Sequence, residues 1–368
     1  MKIVMTGGGT GGHIYPAIAI AKALQQDCQA EIYYIGGTRG LEAKIVQEAG
    51  FPFVGLHLEG FKRSFSWHNF KVIGYALNGI RHSKRLLREI KPDAVIGTGG
   101  YVCGPVILAA SQCKIPAFLH EQNAFPGITN RLLARRVQRV MLTFAEAAGR
   151  FPASASTVVT GLPVRPEVLQ ANREQARQEL GLDPETRLVL AFGGSQGSAR
   201  INQAMLEWFE ELKKQELNLK VILVVGPQNY ESFQQKMAAR NLLDWPTVEI
   251  CSYLEHLPQV LAAADLAVCR AGAATLAELT VLGIPAILVP YPYATANHQE
   301  FNARSLEKVG AAKVIVDQDL NGVSLEKAVR ESLASPQVLQ QMAAASRQKA
   351  CPQAIHSILK EVRQFLPV

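Results

Sequence analysis

Paired cysteines are missing from this sequence. Its six cysteines, Cys28, Cys103, Cys113, Cys251, Cys269 and Cys351, are scattered, with no C-x-x-C pair and no zinc-type spacing. That excludes a disulfide scaffold and a zinc module, and the cysteines read as small reduced core residues of a cytosolic chain. Long apolar runs are missing too. None approaches the roughly 18 residues of a transmembrane helix, and the apolar run at residues 3–5 is too short for a secretory signal. The chain is therefore expected not to span a membrane. Charged residues make up only 19% against 48% hydrophobic ones, which excludes a disordered chain. At roughly 100 to 200 residues per domain, 368 residues predict two domains.

Acidic residues are scarcest where basic ones are densest. Residues 1–160 hold 18 basic and 9 acidic side chains, whereas residues 161–368 hold 20 and 22. Within the first half, residues 61–88 carry Lys62, Arg63, Lys71, Arg81, Lys84, Arg85 and Arg88 without one acid. Phe61, Phe65, Trp67, Phe70 and Tyr75 are interleaved with them. An anionic bilayer leaflet suits this mixture, the basic groups meeting lipid phosphates while the aromatics, Leu77, Ile80, Leu86 and Leu87 enter the interface. A surface helix with its apolar face turned inward suits it as well. No nucleic-acid-binding motif accompanies the patch, and nucleic acid is not expected as a partner.

What the chain does have is alternation. Short β-rich runs at residues 2–5, 31–35, 94–96, 117–119, 137–142 and 157–160 are separated by helical stretches, and the pattern restarts at 188–192, 220–225, 248–251, 266–268, 286–289 and 313–316. Such alternation predicts two doubly wound parallel sheets covered by helices. Pro163 and Pro166 interrupt helix and ladder alike and mark a linker, with a cleft expected beside it. Pro352 interrupts a helical pattern over residues 338–366, whose last turns are expected to cross back to the first domain.

Four glycine loops each follow a strand: residues 7–12, 97–104, 193–197 and 270–275. Gly7, Gly9 and Gly12 spell G-x-G-x-x-G, but the second strand ends in Gly36-Gly37-Thr38-Arg39 and offers no acid for a dinucleotide ribose. One such loop is ordinarily a tight turn. Four together suit a diphosphate-bearing substrate, because glycine lets backbone N–H groups approach and a helix N-terminus favours phosphate.

Individual side chains add candidates. Asp317-Gln318-Asp319 has the D-x-D spacing of some metal-holding sites, but it lies in a polar turn, and no metal is expected. His120-Glu121 reads either as a catalytic pair or as structure. His13, just after Gly12, reads either as a base at the loop or as a helix-start packing residue.

With these motifs in order, Gly8-Gly9-Thr10-Gly11-Gly12-His13, Gly99-Gly100-Tyr101-Val102 with Gly104-Pro105, His120-Glu121-Gln122-Asn123, Pro163-Val164-Arg165, Gly193-Gly194-Ser195-Gln196-Gly197, and Cys269-Arg270 with Gly272, Thr275 and Glu278, the whole chain resembles the MurG family. The resemblance implies a GT-B architecture of two Rossmann-like α/β domains facing a cleft. It assigns residues 1–161 plus 352–368 to an acceptor- and membrane-facing domain and 162–351 to a donor domain. It implies inverting, metal-independent and cofactor-free transfer of N-acetylglucosamine from UDP-N-acetylglucosamine to a lipid-linked muramoyl-pentapeptide at the cytoplasmic face of the membrane. Thr10, Gly11, Gly12, Asn123, Arg165, Ser195, Leu254, Ala273, Ala274, Thr275, Leu276, Ala277, Glu278 and Gln299 would line the donor site. Glu278 would hold the ribose, Gln299 the sugar, and Arg165 the departing diphosphate. Gly99, Gly100, Tyr101 and Glu121 would face the acceptor, with His13 as base or acceptor orienter. Lys62, Arg63, Phe65, Trp67, Arg81, Lys84 and Arg85 would meet the membrane. The sequence departs from the family at Leu162, where Asn is common, at Cys103, where Ser is usual, and over residues 294–298 before Gln299. A diacylglycerol glycosyltransferase and a UDP-N-acetylglucosamine epimerase share the architecture and remain the alternatives.

Overall fold

Residues 1–38, 40–58, 68–215 and 217–366 are described in the structure, a computed structural model, with backbone alone at 68–73. The chain divides into two units, Met1–Pro163 with Pro352–Val368, and Val164–Cys351. The division falls two residues beyond the expected break after Gly161. The N–H groups of Thr160 and Gly161 both still donate to Leu142 O, at 2.9 and 3.1 Å, and Leu162 is buried.

The first unit runs β1 (Lys2–Thr6), α1 (Gly11–Cys28), β2 (Glu31–Gly37), α2 (Glu42–Glu48), β3 (Phe53–Leu56), α3 (His68–Ile90), β4 (Ala94–Gly97), α4 (Cys103–Gln112), β5 (Ala117–Glu121), α5 (Ile128–Leu133), β6 (Arg139–Leu142) and β7 (Thr157–Val159). Its sheet has the order β3-β2-β1-β4-β5-β6-β7, parallel throughout. Strand β1 is apolar at successive positions because both of its faces are covered. Ile3 and Met5 join α1 through Ile14, Ile20 and Leu24, while Val4 points the other way, toward Leu87 of α3 and Val106 and Ile107 of α4. Strand β3 was not expected. It is four residues long, and its apolar run is interrupted by Gly55, where a methyl group would lie 2.7 Å from Thr38 Cγ2.

The second unit runs α6 (Pro166–Gln170), α7 (Arg173–Glu179), β8 (Arg187–Phe192), α8 (Ala199–Leu212), β9 (Leu219–Val224), α9 (Tyr230–Ala238), β10 (Val248–Cys251), α10 (Leu257–Ala263), β11 (Leu266–Cys269), α11 (Ala273–Leu282), β12 (Ala286–Leu288), α12 (His298–Glu307), β13 (Ala312–Val314), α13 (Gly322–Ser332) and α14 (Pro336–Gln348). Its parallel sheet has the order β10-β9-β8-β11-β12-β13. Val189 and Ala191 of β8 pack against Met205 and Phe209 of α8 and Leu325 and Val329 of α13. After the interruption at Pro352, α15 (Ala354–Arg363) lays Ile358, Leu359 and Val362 into the first unit's core beside Ile14 and Leu24.

Of the cysteines, only Cys103 and Cys269 are buried; the other four are half-buried. Burial pushes both buried thiols up to about 12, so they stay protonated and act as small apolar residues.

Candidate active site

In each sheet the strand order reverses at one place, beside β1 and β4 in the first unit and beside β8 and β11 in the second. Loops leaving the carboxyl ends of strands at such a reversal form the usual ligand crevice of open α/β sheets. The four glycine loops are the four that leave these strands.

In the first unit, the loops after β1 and β4 are tied together. Gly8 N–H donates to Gly99 O at 3.3 Å and Thr98 N–H to Thr6 O at 2.9 Å, while Thr98 Oγ1 donates to His13 O at 2.8 Å. Gly100 (φ +85°) has its glycine enforced, since a methyl group there would lie 2.2 Å from Gly8 O. The ring of Tyr101 lies against Gly9. His13 Nδ1 sits 3.2 Å from Gly8 O and 3.3 Å from Thr10 Oγ1. A carbonyl only accepts, so Nδ1 carries the proton and Nε2 is the ring's acceptor nitrogen. Nε2 faces Gly99, 3.1 Å from where a methyl group on it would sit.

Sequence reasoning missed Glu42. This side chain is 0% exposed, in the first turn of α2. Its carboxyl accepts from Gly37 N–H at 3.1 Å and Gly9 N–H at 3.4 Å. The only sequence signal was an acid just after the glycine-rich end of β2. Its presence also alters the phosphate-loop expectation for residues 7–12, because the N–H groups of Gly8 and Gly9 already serve the protein.

The acceptor assignment of Glu121 and the catalytic-pair reading of His120-Glu121 both need correction. Glu121 is 2% exposed. One carboxyl oxygen accepts from Asn123 N–H at 3.0 Å and its amide at 3.3 Å; the other accepts from Gly127 N–H at 3.0 Å and the Asn130 amide at 2.9 Å. Burial pushes this carboxyl above the usual range against those hydrogen bonds. Glu121 thus shapes the turn that carries Asn123. His120 faces elsewhere: Nε2–H donates to Gly161 O at 2.9 Å, and Nδ1 accepts from the Gln122 amide at 3.1 Å. Burial lowers its pKa to about 4, so it is a neutral structural ring at neutral pH.

In the second unit, Arg165 and Glu278 are partners. Nε and Nη2 of Arg165 donate to Oε1 and Oε2 of Glu278 at 2.7 and 2.8 Å, a fork that fits guanidinium to carboxylate. Donating to the Glu278 carboxylate holds Arg165 above its ordinary range. The two were expected to serve different parts of a nucleotide, whereas here each occupies the other. Gly272 caps α11, whose first turn carries Ala273, Ala274 and Thr275. Leu276 is buried and so offers a ligand its backbone alone. Ser195 is exposed on its loop, Leu254 and Ala277 are half-buried, and Gln299 Oε1 accepts from Tyr291 N–H at 2.9 Å. In the segment that departs from the family, Ala296 and Asn297 both have φ +53°; the left-handed conformation costs Ala roughly 1 kcal/mol.

Arg270 explains the D-x-D turn. Nη1 donates to Asp317 Oδ1 and to the carbonyls of Val289 and Pro290, and Nη2 donates to Ser198 Oγ at 2.8 Å. Asp317 is therefore an internal counter-ion that ties this turn to the cap of α8.

For the basic patch, Lys62, Arg63, Phe65 and Trp67 lie outside the described residues. On α3, Arg81 and Arg85 are exposed and Lys84 is half-buried. The expected apolar contribution of this helix is corrected: Leu87 is buried and Ile80 and Leu86 pack on the core, and only Leu77 stands out, at 53%. A second surface was missed. On α5, Ile128 and Leu132 are 73% and 72% exposed, four residues apart on one helix face, beside exposed Arg131, Arg135 and Arg136. Among the described residues no helix is long and apolar enough to cross a membrane.

Residues 3–142 match the glycosyltransferase family 28 N-terminal domain and residues 188–358 its C-terminal domain. A protein of Desulforamulus reducens named UDP-N-acetylglucosamine–N-acetylmuramyl-(pentapeptide) pyrophosphoryl-undecaprenol N-acetylglucosamine transferase is 46% identical over 100% of this chain and 99% of its own length. The crystal structure of Acinetobacter baumannii MurG has a TM-score of 0.83 at 30% identity, covering 99% of both chains. A UDP-GlcNAc 2-epimerase from Neisseria meningitidis, solved with UDP-GlcNAc, has a TM-score of 0.66 at 15% identity, over 99% of this chain and 100% of that one. That last likeness is one of fold alone.

Proposed function

The chain belongs to the MurG family of glycosyltransferase family 28 and has its GT-B fold, and from that membership we infer an enzyme that moves N-acetylglucosamine from UDP-N-acetylglucosamine to a lipid-linked muramoyl-pentapeptide. The observation that carries this reading is the full-length 46% identity to a transferase of that name. In the reaction, the acceptor hydroxyl oxygen bonds to the anomeric carbon as the bond to UDP breaks, with inversion. His13 Nε2, fixed as the acceptor nitrogen by the Gly8 carbonyl, takes the hydroxyl proton. The Gly8 carbonyl then steadies the imidazolium through Nδ1–H.

Most of donor recognition falls to the second unit, with Thr10, Gly11, Gly12 and Asn123 as the first unit's share. Glu278 accepts from the ribose hydroxyls through lone pairs outside the Arg165 fork. The remaining Arg165 N–H groups and the N-terminal amides of α11 face the diphosphate, stabilising the leaving charge without a metal. Gln299 donates to the sugar. The first unit carries the acceptor, and its basic α3 and the Ile128–Leu132 face of α5, both packed on α4, suit a peripheral seat on an anionic leaflet.

The test is incorporation of radiolabelled N-acetylglucosamine from its UDP donor into a lipid-linked muramoyl-pentapeptide, with and without a chelator and with an acceptor-free control. Acceptor-dependent product that survives chelation is expected. Absence of lipid product, or epimerised donor in the acceptor-free control, would overturn the reading in favour of another acceptor or an epimerase.

A further inference from the structure

The first glycine loop is built around a carboxyl group. A methyl group on Gly8, Gly37 or Gly40 would lie 2.5, 2.8 and 2.2 Å from a Glu42 carboxyl oxygen, so three backbone segments close on one side chain that is itself 0% exposed. The two carboxyl oxygens take the N–H groups of Gly37 and Gly9, bracing the loop after β1 against the end of β2. Among the described residues it is backbone amides that hold the Glu42 carboxyl. Burying a carboxyl is costly unless it is hydrogen-bonded in this way. What it determines is the shape of residues 8–10, and that shape aims Gly8 O at His13 Nδ1.

We propose that Glu42 is a positioning residue for the transfer reaction: by holding the N–H groups of Gly9 and Gly37 it sets the Gly8 carbonyl that orients the His13 imidazole. The proposal rests on the reading of His13 as the base. Glu42 touches no reacting atom. Its removal leaves the donor groups on the second unit intact and lets the imidazole turn away from the acceptor hydroxyl, so turnover falls while donor affinity holds.

Three variants test this, with kcat and the KM for UDP-N-acetylglucosamine measured on the full chain. Glu42→Gln keeps the size but turns an amide NH2 against one of the two Gly N–H groups, leaving the other its acceptor oxygen. Its kcat is expected to drop by on the order of 10²-fold, as misplacement of a reacting group by about an ångström does, with donor KM within twofold. In a His13→Ala background the same change is expected to add nothing. Wild-type kcat in Glu42→Gln, or a full further loss in the His13→Ala background, overturns the proposal. Should Glu42→Gln fail to fold by circular dichroism, Gly40→Ala decides. Its exposed backbone has no positive φ, and its new methyl displaces the carboxyl without removing it; a loss of kcat there supports the proposal and wild-type kcat overturns it. Near-wild-type turnover in His13→Ala alone would instead withdraw the base assignment itself, a separate outcome.

Discussion

Burial moves the proton affinities of His120 and Glu121 in opposite senses although they are neighbours on β5. His120 is held neutral, with its pKa near 4, because burial strips its hydration and the hydrogen bond to Gly161 repays only part of that loss. The unfolded chain binds a proton at this ring near pH 6.5, so the unfolded state gains protons first as pH falls. The ring's contribution to stability is therefore fully present above about pH 6.5 and is lost progressively toward pH 4. Glu121, with its carboxyl raised, works the other way and masks the effect in the wild type alone. His120→Gln retains an N–H donor toward Gly161 and does not titrate. In urea unfolding, the wild type's stability advantage over this variant is expected to shrink by up to about 3 kcal/mol between pH 7 and pH 4. An advantage that does not change with pH would mean that His120 is not held neutral.

Helices α3 and α5 show how a face is chosen. Gly79, Ser83 and Leu87 form the buried stripe of α3, and at Gly79 a methyl group would lie 2.6 Å from Leu58 Cδ2 and 3.4 Å from Pro105 Cβ. Its apolar residues are thereby spent on the core and its arginines left outside. The short α5 does the reverse with Ile128 and Leu132. Exposing two such side chains is repaid if a bilayer covers them, at roughly 1.5 to 3 kcal/mol each. Ile128→Ser with Leu132→Ser is therefore expected to weaken sedimentation with anionic vesicles by about tenfold or more, with UDP affinity unchanged. Arg81→Gln with Arg85→Gln is expected to remove mainly the salt-sensitive part of that binding. Equal sedimentation of the Ser variant would remove α5 from the membrane face. Every strand but β3 and the four glycine loops were legible in the sequence, because a strand buried on both faces writes a continuous apolar run and a close backbone approach writes glycine. What α3 and α5 turn outward was not, since a basic amphipathic pattern reads the same whether its apolar stripe meets a core or a lipid. The pairing of Arg165 with Glu278 and the tie of Glu42 to Gly9 were hidden for a related reason: the residue types were visible, but the partners lie 113 and 33 residues apart.

At the scale of the molecule, the chain leaves its first unit at Pro163 and returns to it only at Pro352. The return is a core contact. Ile358 and Val362 are fully buried among Ile14, Ile20 and Leu24, Phe365 packs edge-on to Phe118, and Arg139 Nε reaches Glu361 at 3.1 Å. The unit that carries His13 and Glu42 is thus completed by a helix that follows the second unit in the chain, although each unit holds all the strands of its own sheet. A cavity in α15 should accordingly loosen one unit and spare the other. Ile358→Ala is expected to cost about 2 to 5 kcal/mol, read by native-state hydrogen exchange as lost protection in β1, β4 and α1 with unchanged protection in β8, β11 and α8. Equal loss in both sheets would mean that the two units unfold as one cooperative block, and α15 would then govern the stability of the second unit as well as that of the first.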